Sequence, residues 1–300
     1  MTEKKVKTDI VILGHIAKDI ITIDDSSKEA IGGAVYYGGI AGSHMGLKIT
    51  VITRLRKEDY PILEEFKKYG IHYFAYPSQE TSGLRNIYNS ENMETRICKP
   101  LGFAGLFSKE EIPEIKPKYF VLGPITAGEI DLELFNYLAE KYRGKICIDI
   151  QGFVRIRDHR EDKVYFSNLA EEEKQAILPK VNILKVDHAE LKALTNIEDI
   201  REGATLLSEY GINEILISHK QGISVHVENQ LFFFPWRYKE IRGRTGRGDT
   251  AFISYIGSRI SKDPADALTF SAALTSLKLE HPGPFVLPLH QVEELIKKEY

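Results

Sequence analysis

The stretch Thr245-Gly246-Arg247-Gly248-Asp249-Thr250-Ala251-Phe252 sets two glycines around one side chain, then an acid, then an apolar run through Ile253, Tyr255 and Ile256. That order suits a tight loop feeding the first turn of a buried helix. Glycine lets the backbone approach a ligand closely and take positive φ. The free N–H groups and positive dipole end of a helix start make an anion site. An acid there repels an anion, so Asp249 makes sense as the group that takes a proton from a hydroxyl beside that anion. A phosphate cradle with a carboxylate at its lip is equipment for phosphoryl transfer to an alcohol. Two plainer readings stand beside it. Asp249 can cap the helix, and Arg247-Gly248-Asp249 also spells a tripeptide of cell-adhesion ligands, although nothing else in the chain suggests an extracellular ligand.

Outward from this loop, short apolar runs alternate with helical patterns. Ile10–Leu13, Ile49–Ile52, Tyr119–Leu122, Ile146–Ile150, Asn182–Val186 and Glu214–Ile217 read as strands; Leu132 to Tyr142 reads as a helix, and Ala34 to Leu47 is a run of small and apolar residues. Fully apolar strands between helices predict a largely parallel sheet covered on both faces. Ligands in such sheets bind beyond the carboxyl ends of the strands. Two segments break the alternation, at about residues 15–31 and 84–99. Both carry β-branched residues in a polar setting and fit a small second sheet projecting as a lid; two surface hairpins without a binding role are the alternative.

Bulk properties narrow the function further. The chain has 300 residues, 43% hydrophobic, which suffices for one large α/β domain with a sizeable core or for two small domains. Forty basic and 43 acidic residues leave a net charge of −3, with no basic excess for a nucleic-acid backbone. No apolar run reaches the roughly 20 residues of a membrane span, and the polar, lysine-rich start lacks the apolar core of a signal peptide. Cys98 and Cys147 are the only cysteines, which argues for a cytoplasmic protein without a disulfide framework. The histidines lack metal-ligand spacing, so no structural zinc is expected.

Five segments, in order, resemble the ribokinase-like (PfkB) family of sugar and nucleoside kinases: Gly14 to Asp19, Gly32-Gly33, Asn182 to Leu194 (NILKVDHAELKAL), Thr245 to Asp249, and Ala272 to Phe285 (AALTSLKLEHPGPF). The resemblance spans nearly the whole chain and implies a single domain over 1–300. It implies a three-layer α/β fold with a central mostly parallel sheet and a small β lid. It implies that Asp249 is the catalytic base, with the backbone N–H groups of Gly246, Arg247 and Gly248 holding charge on the transferred phosphoryl group. Asp19, Gly32 and Gly33 would orient the substrate, joined by Tyr37 and by Gln151, with Arg155 beside it, at the end of a central strand. Asp187, Glu190, Ser218, Thr245 and Gly248 would serve the nucleotide. ATP and Mg²⁺ are the implied cofactors, the metal held through water by Asp187 and Glu190, and a monovalent cation such as K⁺ beside the anion hole is allowed. The partners would be a sugar or cyclitol and ATP, with no nucleic acid or membrane; a homodimer through the lid is compatible with exposed strand edges.

The departures from the family's pattern sharpen the expectation. Asp187 stands where Asn is usual, and Asp187 with Glu190 can equally form a capping box. Arg247 replaces a small residue in the anion hole, Gly243 replaces an acid, the segment Ser218 to Gly222 is a residue short, and Tyr37 replaces a substrate Asn. The Tyr36-Tyr37 pair and the Gln151-Gly152 segment are similar to myo-inositol kinases of the family, although both tyrosines can also be core aromatics. The leading expectation is an ATP-dependent kinase of a sugar or cyclitol hydroxyl. The alternatives are a nucleoside kinase, with Tyr36, Tyr37 or Phe103 as ring partners, and a non-catalytic sugar- or nucleotide-binding relative. A dinucleotide-dependent dehydrogenase is disfavoured, since Gly14-His15-Ile16-Ala17-Lys18 lacks the glycine fingerprint.

Overall fold

The computed structural model describes residues 7–90 and 92–300, with the backbone alone for 92–96. The first six residues, part of the polar start discussed above, lie outside the described residues. In chain order the strands are β1 (Ile10–Leu13), β2 (Ala17–Ile23), β3 (Ser26–Gly32), β4 (Ile49–Leu55), β5 (His72–Pro77), β6 (Leu84–Asn89), β7 (Asn92–Pro100), β8 (Tyr119–Leu122), β9 (Ile146–Asp149), β10 (Arg155–Asp158), β11 (Lys163–Phe166), β12 (Ile183–Asp187), β13 (Glu214–Ser218), β14 (Gly222–Val227) and β15 (Gln230–Pro235). The helices are α1 (Ala34–His44), α2 (Leu63–Lys68), α3 (Leu132–Lys141), α4 (Gln151–Val154), α5 (Glu171–Ile177), α6 (His188–Thr195), α7 (Ile200–Ser208), α8 (Arg247–Ser258), α9 (Pro264–Leu279) and α10 (Leu289–Glu299).

Nine strands form one sheet in the order β15-β14-β13-β12-β9-β8-β1-β4-β5. The seven from β13 to β5 run parallel, and β14 and β15 close one edge antiparallel. The alternation of side chains across a strand sorts the core into two layers. Val11, Leu13, Phe120, Leu122, Ile146, Ile148, Leu184 and Val186 pack with residues of α3, α6 and α7. Ile10, Ile12, Val121, Cys147 and Ile183 face the other way, onto α1, α8 and α9. This is the expected α/β three-layer arrangement with a mostly parallel central sheet. The antiparallel edge, with its Phe232-Phe233-Phe234 run, was not among the strands read from the sequence.

A second sheet has the order β3-β2-β6-β7, with β2 and β6 parallel and the outer pairs antiparallel. It is built from the two segments that break the α/β alternation. Its root is tied to the main sheet by buried polar contacts. Ser82 Oγ lies 2.8 Å from His15 Nδ1, and the Glu129 carboxylate accepts the N–H groups of His15, Ile125 and Thr126 at 3.2, 2.7 and 2.9 Å. Burial pushes Glu129 up to about 7 and His15 down to about 3, so the imidazole is neutral. A further hairpin, β10–β11, emerges just beyond the central strand β9 and packs against β7, where Lys99 pairs with Asp162. The sequence reading did not anticipate this hairpin, whose short strands carry mixed charge (RIRD, KVYF) instead of an apolar run.

Phe120 is fully buried in β8 and stacks on Tyr142, with ring centroids 4.5 Å apart. Phe120→Ala should cost about 3–5 kcal/mol of stability. Urea unfolding should show it as a lower midpoint with an unchanged slope.

Candidate active site

The helix start read from the sequence is present, and its backbone is unusual at one residue. Gly246 precedes α8 with φ +79°, and a Cβ there would meet the Tyr37 ring at 2.1 Å. Only glycine satisfies both conditions. The Arg247 N–H donates to the Arg244 carbonyl at 3.1 Å, and the Thr250 N–H donates to the Gly246 carbonyl at 2.9 Å. This corrects one expectation: of the three amides assigned to the anion, that of Arg247 already has a backbone acceptor. The first-turn amide of Gly248 stays at the positive end of a 12-residue helix, where N–H groups lack intrahelical partners.

Asp249 follows on the first turn, facing a cavity of about 390 Å³. Burial, seconded by the charge of Asp149, raises its carboxyl to about 6, against the pull of Lys185, Arg155 and Lys278. A carboxylate tuned toward neutrality suits a base that must take a proton and later release it.

Lys185 is the counterweight that the sequence reading missed. In the parallel register β12 sets Lys185 directly beside Asp149 of β9. Both project from the sheet face that carries α8, and the Lys185 Nζ lies 3.0 Å from the Asp149 carboxylate and 3.5 Å from Glu190. A Cβ on Gly248 would lie 3.4 Å from that Nζ, so the ammonium sits under the helix start. Burial lowers its proton affinity, but Asp149 and Glu190 outweigh that and raise it. A signal was available: Asp149 and Lys185 are charges inside runs (ICID, ILKV) that are otherwise apolar.

One end of the cavity is walled by the lid and the hairpin. Asp19, Gly32, Gly33, Asn86 and Tyr88 line it from one side, and Gln151, Arg155 and Phe166 from the other. The Asp19 carboxylate accepts the Leu84 N–H at 2.8 Å, and a side chain on Gly32 would crowd it at 2.9 Å. Gly33 has φ +96° and its Cβ position is 2.5 Å from the His15 carbonyl, so α1 starts hard against the segment that joins β1 to β2. Arg155 is buried with its guanidinium 5.6 Å from the Phe166 ring centroid. Tyr37, expected to bind substrate, is placed elsewhere. It packs beneath Gly246, edge-on to Tyr36 at 5.4 Å, and does not line the cavity. One turn of α1 carries it under the loop instead of toward the acceptor. Phe103 does not line the cavity either; its ring carries the Arg157 guanidinium, 3.5 Å from the centroid, and meets His15 edge-on.

The other end is lined by Asp187, Ala189, Ser218, Arg244, Thr245 and Arg247. Asp187 and Glu190 form the capping box of α6: Asp187 Oδ1 accepts the Glu190 N–H at 2.8 Å, and Glu190 Oε2 accepts the Asp187 N–H at 2.7 Å. Asp187 nevertheless faces the cavity, while Glu190 is fully buried with Oε1 unpartnered in the protein. That orphaned oxygen suits a bound water, so the pair fits a magnesium ion held at one remove. Among the described residues no cluster of three or more His, Cys, Asp or Glu could hold a metal directly.

No family model matches the chain. It is 24% identical over 251 residues to the cytidine kinase of Thermococcus kodakarensis, covering 80% of this chain and 84% of that protein. Its fold superposes with a TM-score of 0.87 on the sulfate complex of a pyrophosphate-dependent kinase of the ribokinase family (29% identity; 95% of this chain, 99% of that one). A pyrophosphate-dependent kinase of the same family, complexed with a pyrophosphate analogue and myo-inositol, gives 0.86 and 28% identity over the same shares. The ribokinase-like resemblance read from the sequence therefore stands, together with its proximity to the inositol kinases. No helix of the described residues is long and apolar enough to cross a membrane.

Gly246→Ala should keep the far-UV circular dichroism of the parent yet lower its thermal stability, because the new methyl must displace Tyr37 at a φ that disfavours alanine.

Proposed function

We propose, for a chain that is ribokinase-like, a kinase that transfers a phosphoryl group to a hydroxyl of a cyclitol or related sugar, with Asp249 as the base. The observation that carries this reading is one cavity with two unlike ends meeting at Asp249. Hydroxyl-binding groups with one acid and one cation (Asp19, Asn86, Tyr88, Gln151, Arg155) cluster at one end. Cations and a helix start (Lys185, Arg244, Arg247, Gly248) cluster at the other. A polyol hydrogen-bonded at the first end would present a hydroxyl to Asp249. The phosphoryl group to be transferred would lie on the Gly248 amide over the Lys185 ammonium, with its charge stabilised there. Magnesium, when bound, would neutralise the donor phosphates, with Asp187 and Glu190 holding its water. Asp19, Gly32 and Gly33 would orient the acceptor, while Thr245 and Ser218 would meet the donor.

Pyrophosphate is the donor this end suits best. The cavity residues beyond Asp249 are charged or small, with Ala189 the one apolar side chain, so a base has little shelf there. Arg247 in place of a small anion-hole residue adds positive charge toward a compact, highly charged donor. ATP, implied by the family resemblance, is the alternative donor. A nucleoside acceptor is the second reading for the other end, carried by the Tyr88 and Phe166 rings that line it. The chain as one catalytic unit acting in the cytoplasm, closing its lid over the acceptor, completes the proposal.

Initial rates across inositols, pentoses, hexoses and nucleosides, each with pyrophosphate and with ATP, test it. The expected outcome is transfer to a cyclitol from pyrophosphate; transfer from neither donor to any acceptor would leave the ligand-binding relative as the better reading. Asp249→Asn should lower turnover by roughly 10²–10⁴-fold with little change in acceptor affinity.

The base must be ionised to accept the proton. With its carboxyl near 6, kcat/KM should therefore rise about tenfold per pH unit below that value and level off above it. Lys185→Met removes a charge that lowers the Asp249 carboxyl, so its profile should shift toward higher pH. A midpoint left unmoved in that variant would remove Lys185 from the account.

A further inference from the structure

α9 sends one charged side chain into the interior. Lys278 is 1% exposed, among alanine, leucine, serine and threonine on a helix otherwise packed in the core. Its Nζ donates to the main-chain carbonyls of Gly243 and Thr245, each at 2.5 Å, and lies 5.3 Å from the centroid of the Tyr37 ring. Among the described residues no carboxylate stands within ion-pair distance of it. The charges it feels are Asp249, which favours the ammonium, and Arg247, which opposes it; burial is the larger influence and brings it down to about 8.

A buried ammonium without a carboxylate partner persists only where other groups replace its water. Here two carbonyl oxygens and the face of a tyrosine ring do so. Carbonyls converging on a unit charge are also how a protein strips and holds an alkali cation. The two carbonyls belong to the residues that lead into Gly246, and Tyr37 is the ring on which Gly246 rests. The ammonium thus ties together the carbonyls before the anion loop and the platform below it. Gly243 can approach because it has no side chain: a Cβ there would lie 2.0 Å from the His281 carbonyl.

We propose that Lys278 is a built-in monovalent cation, a positioning residue whose ammonium fills the carbonyl seat behind the anion loop and makes phosphoryl transfer independent of K⁺. The K⁺ ion allowed by the family resemblance does not fit this chain, since the protein's own charge occupies those oxygens. The inference rests on the phosphoryl-transfer reading of the cavity, but one arm of its test does not.

In the first arm, initial rates of the intact protein are compared in tetramethylammonium chloride and in potassium chloride at equal ionic strength. The wild type should be unaffected. Lys278→Met and Lys278→Ala should lose roughly 10²-fold in kcat, the size of one lost electrostatic stabiliser, with acceptor KM nearly unchanged. K⁺ or NH₄⁺ should restore part of that loss, and methylammonium should do the same for Lys278→Ala. A merely structural lysine would not give rescue by small cations. The second arm needs no catalysis: K⁺ should raise the melting temperature of Lys278→Ala relative to tetramethylammonium and leave that of the wild type alone. Should the wild type transfer no phosphoryl group at all, the function reading falls while this arm still decides the seat. Stimulation or stabilisation of the wild type by K⁺ overturns the proposal, as do folded variants that no monovalent cation rescues or stabilises. If neither variant folds, the wild-type response to K⁺ remains the deciding measurement.

Discussion

The ammonium of Lys185 is the contact on which the cleft depends. It lies 3.0 Å from Asp149 and 3.5 Å from Glu190, under the start of α8. Three carboxylates (Asp149, Glu190, Asp249) crowd this floor, and Lys185 is the buried cation set among them. It pairs with Asp149 and pulls down the Asp249 carboxyl, which burial and the Asp149 charge nonetheless raise to about 6. A carboxylate and a helix start can then stand side by side. A second buried cation, Lys278, performs the corresponding task behind the same loop, against carbonyls instead of carboxylates.

The scaffold makes these placements stiff. β9 and β12 are adjacent parallel strands in the middle of the main sheet, so the register that opposes Asp149 to Lys185 cannot slip by one residue without turning one of these charges into the apolar layer on the opposite face. The loop above is gripped from three directions: Tyr37 below Gly246, Lys278 behind Gly243 and Thr245, and the Arg244 carbonyl on the Arg247 amide. The acceptor end is built differently. Asp19, Asn86 and Tyr88 come from a sheet joined to the rest through Ser82, His15 and Glu129, and Arg155 and Phe166 come from a short hairpin. The floor of the cavity is thus set by the main sheet, and its far wall by elements rooted separately.

The alternation of apolar strands and helices announced the layered α/β sheet, because a strand buried on both faces has to be apolar along its whole length. The two-glycine loop announced the helix start, because positive φ and close approach both demand glycine, and Asp249 stood out as a charge where an apolar run begins. Residues 15–31 and 84–99 stood out by breaking that rhythm. What depended on tertiary structure was everything set by which segments become neighbours. Lys185 and Lys278 look in sequence like stray charges in apolar elements; only strand register and helix packing reveal the oxygens they meet. Tyr37 read as a substrate residue and the Arg247 amide as an anion donor, yet one lies under the loop and the other is turned to Arg244. Local pattern encodes burial and backbone conformation, which are properties of a residue and its near neighbours. Charge balance and side-chain direction arise between residues far apart in the chain, so they exist only once it has folded.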